Sequence, residues 1–218
     1  MKVIIFGATG AVGKLCLTGA LAKGHKVTVF VRDAGRLPKE VSQRALTEGD
    51  VNVLQGDVLD AAAVTAAVKG QDAVIICLGS GGLMTRTYTV SKGTENIING
   101  LASDGNQVSR VIALSSIGAS ESAPWIPSYI KWILKHPLAD KDVQEAALRA
   151  SAVADRCVIV RPSGFTNGAA VGRPNLAAVV GGPLPSSSIS RADVAGFLLQ
   201  MLETNEFAGS AVGISNKK

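Results

Sequence analysis

The sequence predicts an α/β fold, a doubly wound and mostly parallel sheet with helices on both faces, and three observations predict it. The chain opens on an all-apolar run at residues 3–6 that breaks directly into Gly7-Ala8-Thr9-Gly10-Ala11-Val12-Gly13. Apolar residues then recur at broadly helical spacing through Leu15, Leu17, Ala20 and Leu21, and a second apolar run covers residues 26–31. Further on, short apolar runs keep alternating with longer stretches of helical character. Strand, glycine-rich turn, helix and strand within about 30 residues compose a βαβ unit, and its repetition gives the Rossmann-like arrangement.

The elements follow in order. Lys23-Gly24-His25 is the turn into the second strand. Residues 51–55 read as a strand, 61–68 as an alanine-rich helix, 72–78 as a strand and 88–101 as a helix. Residues 108–114 supply a strand, 142–153 a helix, 156–160 a strand and 193–202 a closing helix. Two segments, 118–137 and 163–189, break this rhythm and read as irregular insertions bordering a cleft. The chain of 218 residues suits one substantial core, so residues 1–218 are expected to form a single domain.

Composition excludes several function classes. A hydrophobic content of 47% and a mean hydropathy of +0.28 exclude disorder. The 24 glycines have no three-residue period, which excludes collagen and points to tight turns. Aromatic residues make up 4%, too few for a base-stacking surface, and the net charge of +5 is spread without a basic run. No nucleic-acid partner is expected, and a mild positive balance suits a phosphorylated cofactor. Cys16, Cys77 and Cys157 lie far apart in apolar stretches and read as buried thiols, so neither a metal site nor a disulfide framework is expected. No apolar run approaches the ~20 residues of a membrane span. The first run ends in glycines before any signal-like segment develops, so a cytoplasmic location is expected. No sequence feature sets an oligomeric state.

Gly7, Gly10 and Gly13 form GxxGxxG at the end of the first strand. One glycine permits a tight turn, one lets backbone approach a pyrophosphate, and one lets helix pack closely on sheet. The helix that starts near Ala11 and Val12 directs N–H groups at phosphates, and the Thr9 hydroxyl can add a contact. The second strand ends in Val31-Arg32-Asp33, with Arg36 beyond. A guanidinium fork at Arg32, supported by Arg36, suits a ribose 2′-phosphate, so NADP(H) is preferred over the alternative of two solvated arginines compensating Asp33 or Glu40. Asp33, an acid near the ribose, leaves NAD(H) open. In Gly56-Asp57-Val58, Asp57 either accepts from the adenine amino group or caps the following turn, with Val58 beside it. The glycines from Gly79 to Gly82 leave room for the cofactor's ribose and nicotinamide, or form a flexible substrate loop, and the two readings are compatible.

Taken together, IIFGATGAVG, VTVFVRDAGRLP, VLQGDVLD, DAVIICLG, VIALSSIGA, IVRPSGFTNG and ISRADVAGFLL resemble the atypical short-chain dehydrogenase/reductases of the NmrA-like NAD(P)-binding family. Within it, FGATG, GDVLDAAAV, GQDAVIICLG and ALRAS are similar to the biliverdin reductase B, or flavin reductase, branch. The resemblance spans nearly the whole chain. It implies an oxidoreductase that uses NADPH and a broad pocket for flavins or related planar substrates. It also implies that Arg32 and Arg36 touch the 2′-phosphate and that Ser116 stands beside nicotinamide and substrate. A non-enzymatic NADP(H)-sensing regulatory role, known among NmrA-like relatives, is the alternative.

The sequence departs from the wider family in lacking YxxxK. Tyr129 is followed by Ile130-Lys131-Trp132-Ile133, whereas Lys141 and Glu145 resemble the KxxxE of atypical members. A tyrosine proton donor, and with it alcohol–ketone chemistry, is not expected. Hydride transfer needs mainly orientation from the protein. Ser115 and Ser116 follow the 108–114 strand and are candidates for the reactive centre, Ser116 first; both can instead satisfy loop backbone. Lys141 either stabilises an anionic substrate group, contacts the cofactor ribose, or only pairs with Glu145 on the helix surface. Neither His25 nor His136 is assigned as a base. Pro162 and Ser163 are expected to border the nicotinamide, and Phe165-Thr166-Asn167 to begin the substrate loop. Leu83, Met84, Trp125, Ile126 and Trp132 are candidate apolar walls for a flavin- or quinone-like ligand.

Overall fold

The computed structural model describes residues 1–79, 81–82, 86–103 and 107–217, with only the backbone at 42 and 45–47. Strands β1 (Lys2–Phe6), β2 (Lys26–Val31), β3 (Val51–Gln55), β4 (Ala73–Ile76) and β5 (Arg110–Leu114) alternate with helices. These helices are α1 (Ala11–Ala22), α2 (Lys39–Thr47), α3 (Ala61–Val68) and α4 (Thr89–Leu101). Helices α5 (Ser128–Ile133) and α6 (Lys135–Arg149) precede β6 (Cys157–Pro162). Strands β7 (Gly164–Thr166), β8 (Leu176–Val180) and β9 (Ser188–Ser190), helix α7 (Arg191–Gln200) and β10 (Ala211–Asn216) complete the chain.

Eight strands make one sheet in the order β3-β2-β1-β4-β5-β6-β10-β8, and β7 pairs with β9 in a small second sheet. Every pairing in the large sheet is parallel except β10 with β8, where Val212 faces Val180 and Asn216 faces Leu176. A strand buried on both faces needs apolar side chains at every position, and β1 shows it. Val3 and Ile5 join the core under α1 and α7, while Ile4 and Phe6 join the core under α3, α4 and α6. Glycines bring helices close: a Cβ on Gly19 of α1 would stand 2.5 Å from Leu199 Cδ1 of α7. Among the described residues no helix is long and apolar enough to cross a membrane.

The structure departs from the sequence expectation in identifiable places. Helix α2 is not among the expected elements: its sequence is polar on average, and Val41 is buried. Helix α6 begins at Lys135 rather than at residue 142, because Pro137 falls in its first turn, where a missing N–H is harmless. The 118–137 segment is ordered as a 3-10 stretch, Ser120–Trp125, followed by α5. The 163–189 segment contributes β7, β8 and β9, all of five residues or fewer. It closes the sheet edge with the antiparallel β8, too short to announce itself by alternation.

Strand order reverses between β1 and β4, since the chain runs outward through β2 and β3 and then crosses back. Loops leaving the carboxyl ends of β1 and β4 diverge there and open a crevice.

Candidate functional site

A cleft of about 480 Å³ occupies the crevice. Its floor is the turn after β1. Gly7 has φ of 82°, and a Cβ there would overlap the Cys77 carbonyl. A Cβ on Gly13 would lie 2.8 Å from the Gly7 carbonyl carbon. Only side-chain-free residues allow this bend, which is closed by Gly10 N donating to Gly7 O at 3.0 Å. Helix α1 starts with no side-chain cap, and Thr9, Gly10, Ala11, Val12 and Gly13 line the cleft. An uncapped helix start that faces a cavity of this kind fits a dinucleotide diphosphate.

Arg32 and Arg36 line the cleft at the end of β2, and neither has an ion pair among the described residues. Asp33 does not line it: its Oδ1 accepts Gly35 N at 2.9 Å, capping the 3-10 segment that presents Arg36. Val58 and Gly79 line the cleft, whereas Asp57 is outside the lining, its Oδ1 accepting Leu59 N at 3.0 Å as a turn cap.

Ser115 and Ser116 follow β5, and both border the cleft. Ser115 is buried and donates from Oγ to Glu145 Oε1 at 2.5 Å. Ser116 is half-buried and donates to Ile117 O at 2.9 Å. Lys141 reaches the cleft from α6 and donates through Nζ to Leu114 O at 2.5 Å, Gln144 Oε1 at 3.0 Å and Leu78 O at 3.2 Å. It therefore ties the ends of β4 and β5 together. Burial pushes its amine down to about 8, against smaller opposing effects of Cys77, Asp140 and Glu145.

Lys141 and Glu145 do not pair on the helix surface. Glu145 is fully buried and meets Arg161, whose Nε donates to Oε1 at 2.9 Å and whose Nη2 donates to Oε2. Arg149 Nη2 adds a bond to Oε2 at 3.0 Å, and Arg161 Nη1 also reaches Glu121 Oε1 at 2.8 Å. Burial alone would raise the Glu145 pKa, but hydrogen bonds from Arg161 and Ser115 hold it below the ordinary carboxylate range. The Arg161 hydrogen bond takes Glu121 down to about 2. The sequence reading missed Arg161 and Gln144. Its one available signal was a charged residue ending the otherwise apolar strand Cys157–Pro162.

Other expected residues stand apart from the cleft. Pro162 and Ser163 are buried and outside the lining: Pro162 O accepts Ile117 N, and Ser163 N donates to Ile214 O, both at 3.0 Å. Trp132 and Tyr129 are exposed on α5, Ile126 packs towards Gly118, and neither these residues nor Trp125 line the cleft. The apolar wall comes instead from Leu134, Pro137, Leu138 and Phe165. Leu83 and Met84 lie outside the described residues.

A glycine-rich floor, a cationic end and a half-apolar end, all on a doubly wound sheet, suit an NAD(P)H-dependent oxidoreductase. The chain belongs to the NAD(P)H-binding family, whose model matches residues 7–205. It is 27% identical to the reductase pytE of Aspergillus terreus, covering 98% of this chain and 97% of that protein. It is 35% identical to an isoflavone reductase homolog of Zea mays over 83 residues, a match that spans 36% of this chain and 26% of that protein. The structure is similar to that of ChuY, an anaerobillin reductase from Escherichia coli O157:H7, with a TM-score of 0.80 and 23% identity, covering 99% and 97% of the two chains.

Proposed function

We propose that the protein is an NADPH-preferring reductase that passes hydride to a planar conjugated acceptor such as a flavin, a quinone-like compound or a bilin. The observation that carries this reading is the division of one cleft. Arg32 and Arg36, without ion-pair partners among the described residues, stand at one end, and apolar walls with Ser116 and Lys141, but no tyrosine among the described residues, stand at the other. The residue roles are as follows. Gly7, Gly10 and Gly13 hold the diphosphate against the start of α1, and Arg32 and Arg36 hold the 2′-phosphate. The bound nicotinamide supplies the hydride. Lys141 keeps the ends of β4 and β5 at fixed separation and carries an ammonium proton near the reacting atoms. Ser116 turns its hydroxyl from Ile117 O towards the acceptor. The reductase name of pytE and the anaerobillin reductase name of ChuY agree with this reading.

The test is NADPH oxidation, followed at 340 nm, with a panel of flavins, quinones and bilins. Turnover of at least one class is expected. Saturable NADPH binding without turnover across the panel would refute the reductase and leave the NADP(H)-sensing reading in its place.

A further inference from the structure

The charged residues that line the cleft are Arg32, Arg36, Lys141 and Arg191, and no carboxylate lines it among the described residues. Their positions follow from strand order. Arg32 ends β2, whereas Arg191 opens α7 and packs against Phe165 of β7, which directly follows β6. Strands β2 and β6 are four places apart in the sheet, or about 19 Å at the usual spacing. Arg32 and Arg36 thus serve the nucleotide end, and Arg191 stands at the far end, beyond Ser116.

Arg191 is held but not neutralised. Its Nη1 donates to Asn167 Oδ1 at 2.6 Å, and its guanidinium lies 5.0 Å from the centre of the Phe165 ring. No carboxylate pairs with it among the described residues, although Arg44, Arg149, Arg161 and Arg173 each have one. The nearby acid, Asp193, is committed elsewhere: it accepts from Val171 N and Gly172 N and from Ser190 Oγ. A cation at the first position of a helix is also unfavourable against the helix dipole, so local stability does not account for it. Lys141 cannot substitute, since its three donors already meet protein oxygens.

We infer that Arg191, fixed by Asn167 and backed by Phe165, binds an anionic substituent of the substrate, so that the preferred acceptor is a planar conjugated carboxylate. This deepens the reductase reading and rests on it for the acceptor's role, though the binding step does not. A guanidinium whose Nε and Nη2 have no acceptor among the described residues offers a carboxylate two parallel hydrogen bonds, and the ring beside it offers a face for a flat ligand.

The experiment titrates the protein–NADP⁺ complex with anthraquinone-2-carboxylate and with its neutral carboxamide, in the wild type and in Arg191→Gln and Arg191→Lys. The wild type is expected to bind the carboxylate at least about tenfold more tightly, the size of one charge-assisted hydrogen bond. Arg191→Gln is expected to bring the ratio near one, and Arg191→Lys to restore part of it. Equal wild-type affinities, no carboxylate binding, or a preference that survives in Arg191→Gln would overturn the proposal. So would a loss confined to NADP⁺ affinity, which would make Arg191 a cofactor residue. NADPH oxidation with the same pair separates the two readings. Arg191-dependent binding without turnover sinks the reductase alone, and turnover without charge preference sinks the anion site alone.

Discussion

Replacing Arg32 by serine asks whether the cationic end of the cleft reads the extra phosphate of NADPH. Arg32 and Arg36 are exposed, lack carboxylate partners among the described residues, and flank the mouth of the cleft beside Gly7 and Gly10. A charge-assisted hydrogen bond contributes about 1.5–3 kcal/mol, and solvent exposure puts these two at the lower end. One lost arginine should therefore weaken NADPH binding by about tenfold, and Arg32→Ser with Arg36→Ser by about a hundredfold. NADH, which has no 2′-phosphate, should move far less, since Asp33 stays committed to Gly35 N and gains no ribose contact. The assay is equilibrium titration by nucleotide fluorescence at low and high salt. Screening should narrow the wild-type gap between NADPH and NADH as salt rises, because the Debye length falls to about 3 Å at 1 M. Equal losses for both nucleotides would refute the phosphate assignment, and a salt-independent gap would refute its electrostatic cause.

The other predictions concern the turn, the buried network and the amine. Gly13→Ala should abolish nucleotide binding, because its Cβ would collide with the Gly7 carbonyl; unaltered affinity by calorimetry would contradict the close-packed bend. Arg161→Met should cost about 3–5 kcal/mol in urea unfolding, because Glu145 stays buried with its main partner removed. Arg161→Met with Glu145→Leu should recover much of that loss, and a double variant as unstable as the single one would deny the pairing. Lys141 is shifted down to about 8 from an ordinary 10.5, so the folded protein releases its proton first. Its contribution to stability therefore rises with pH between those values. Turnover that uses the ammonium should fall above pH 8, and a fall that persists in Lys141→Met would assign it to another group.

The legible part of the molecule is the part where backbone geometry dictates residue type. A buried parallel strand must be apolar throughout and a bend against Cys77 O must be glycine, so β1, the turn and α1 can be read directly from the first residues. Arg32 and Arg36 follow from their position after β2. What stayed hidden depends on contacts distant in sequence. Glu145 looks like the partner of Lys141 at helical spacing, yet the helix turns it under β5 and β6 to meet Arg161. Asp57, in the loop after β3, and Pro162, the last residue of β6, stand at the expected edge of the sheet, but their roles there are a turn cap and a backbone bond. Short strands such as β7 and β9 exist through their mutual pairing, Gly164 with Ser188 and Thr166 with Ser190, and no local pattern announces them.

At the reactive end, the mobile hydrogens are already engaged by protein. Ser115 donates to Glu145, Ser116 to Ile117 O, and the Lys141 ammonium to three oxygens. An acceptor entering this cleft must compete for them, and a hydrogen bond gained by breaking another contributes little net free energy. Binding must then come from area buried against Leu134, Pro137, Leu138 and Phe165, together with Arg191, whose guanidinium has no carboxylate partner among the described residues. Such a site discriminates poorly among flat ring systems and well between charged and uncharged ones. It follows that a broad acceptor range, graded by substituent charge rather than ring identity, is what this arrangement of side chains favours.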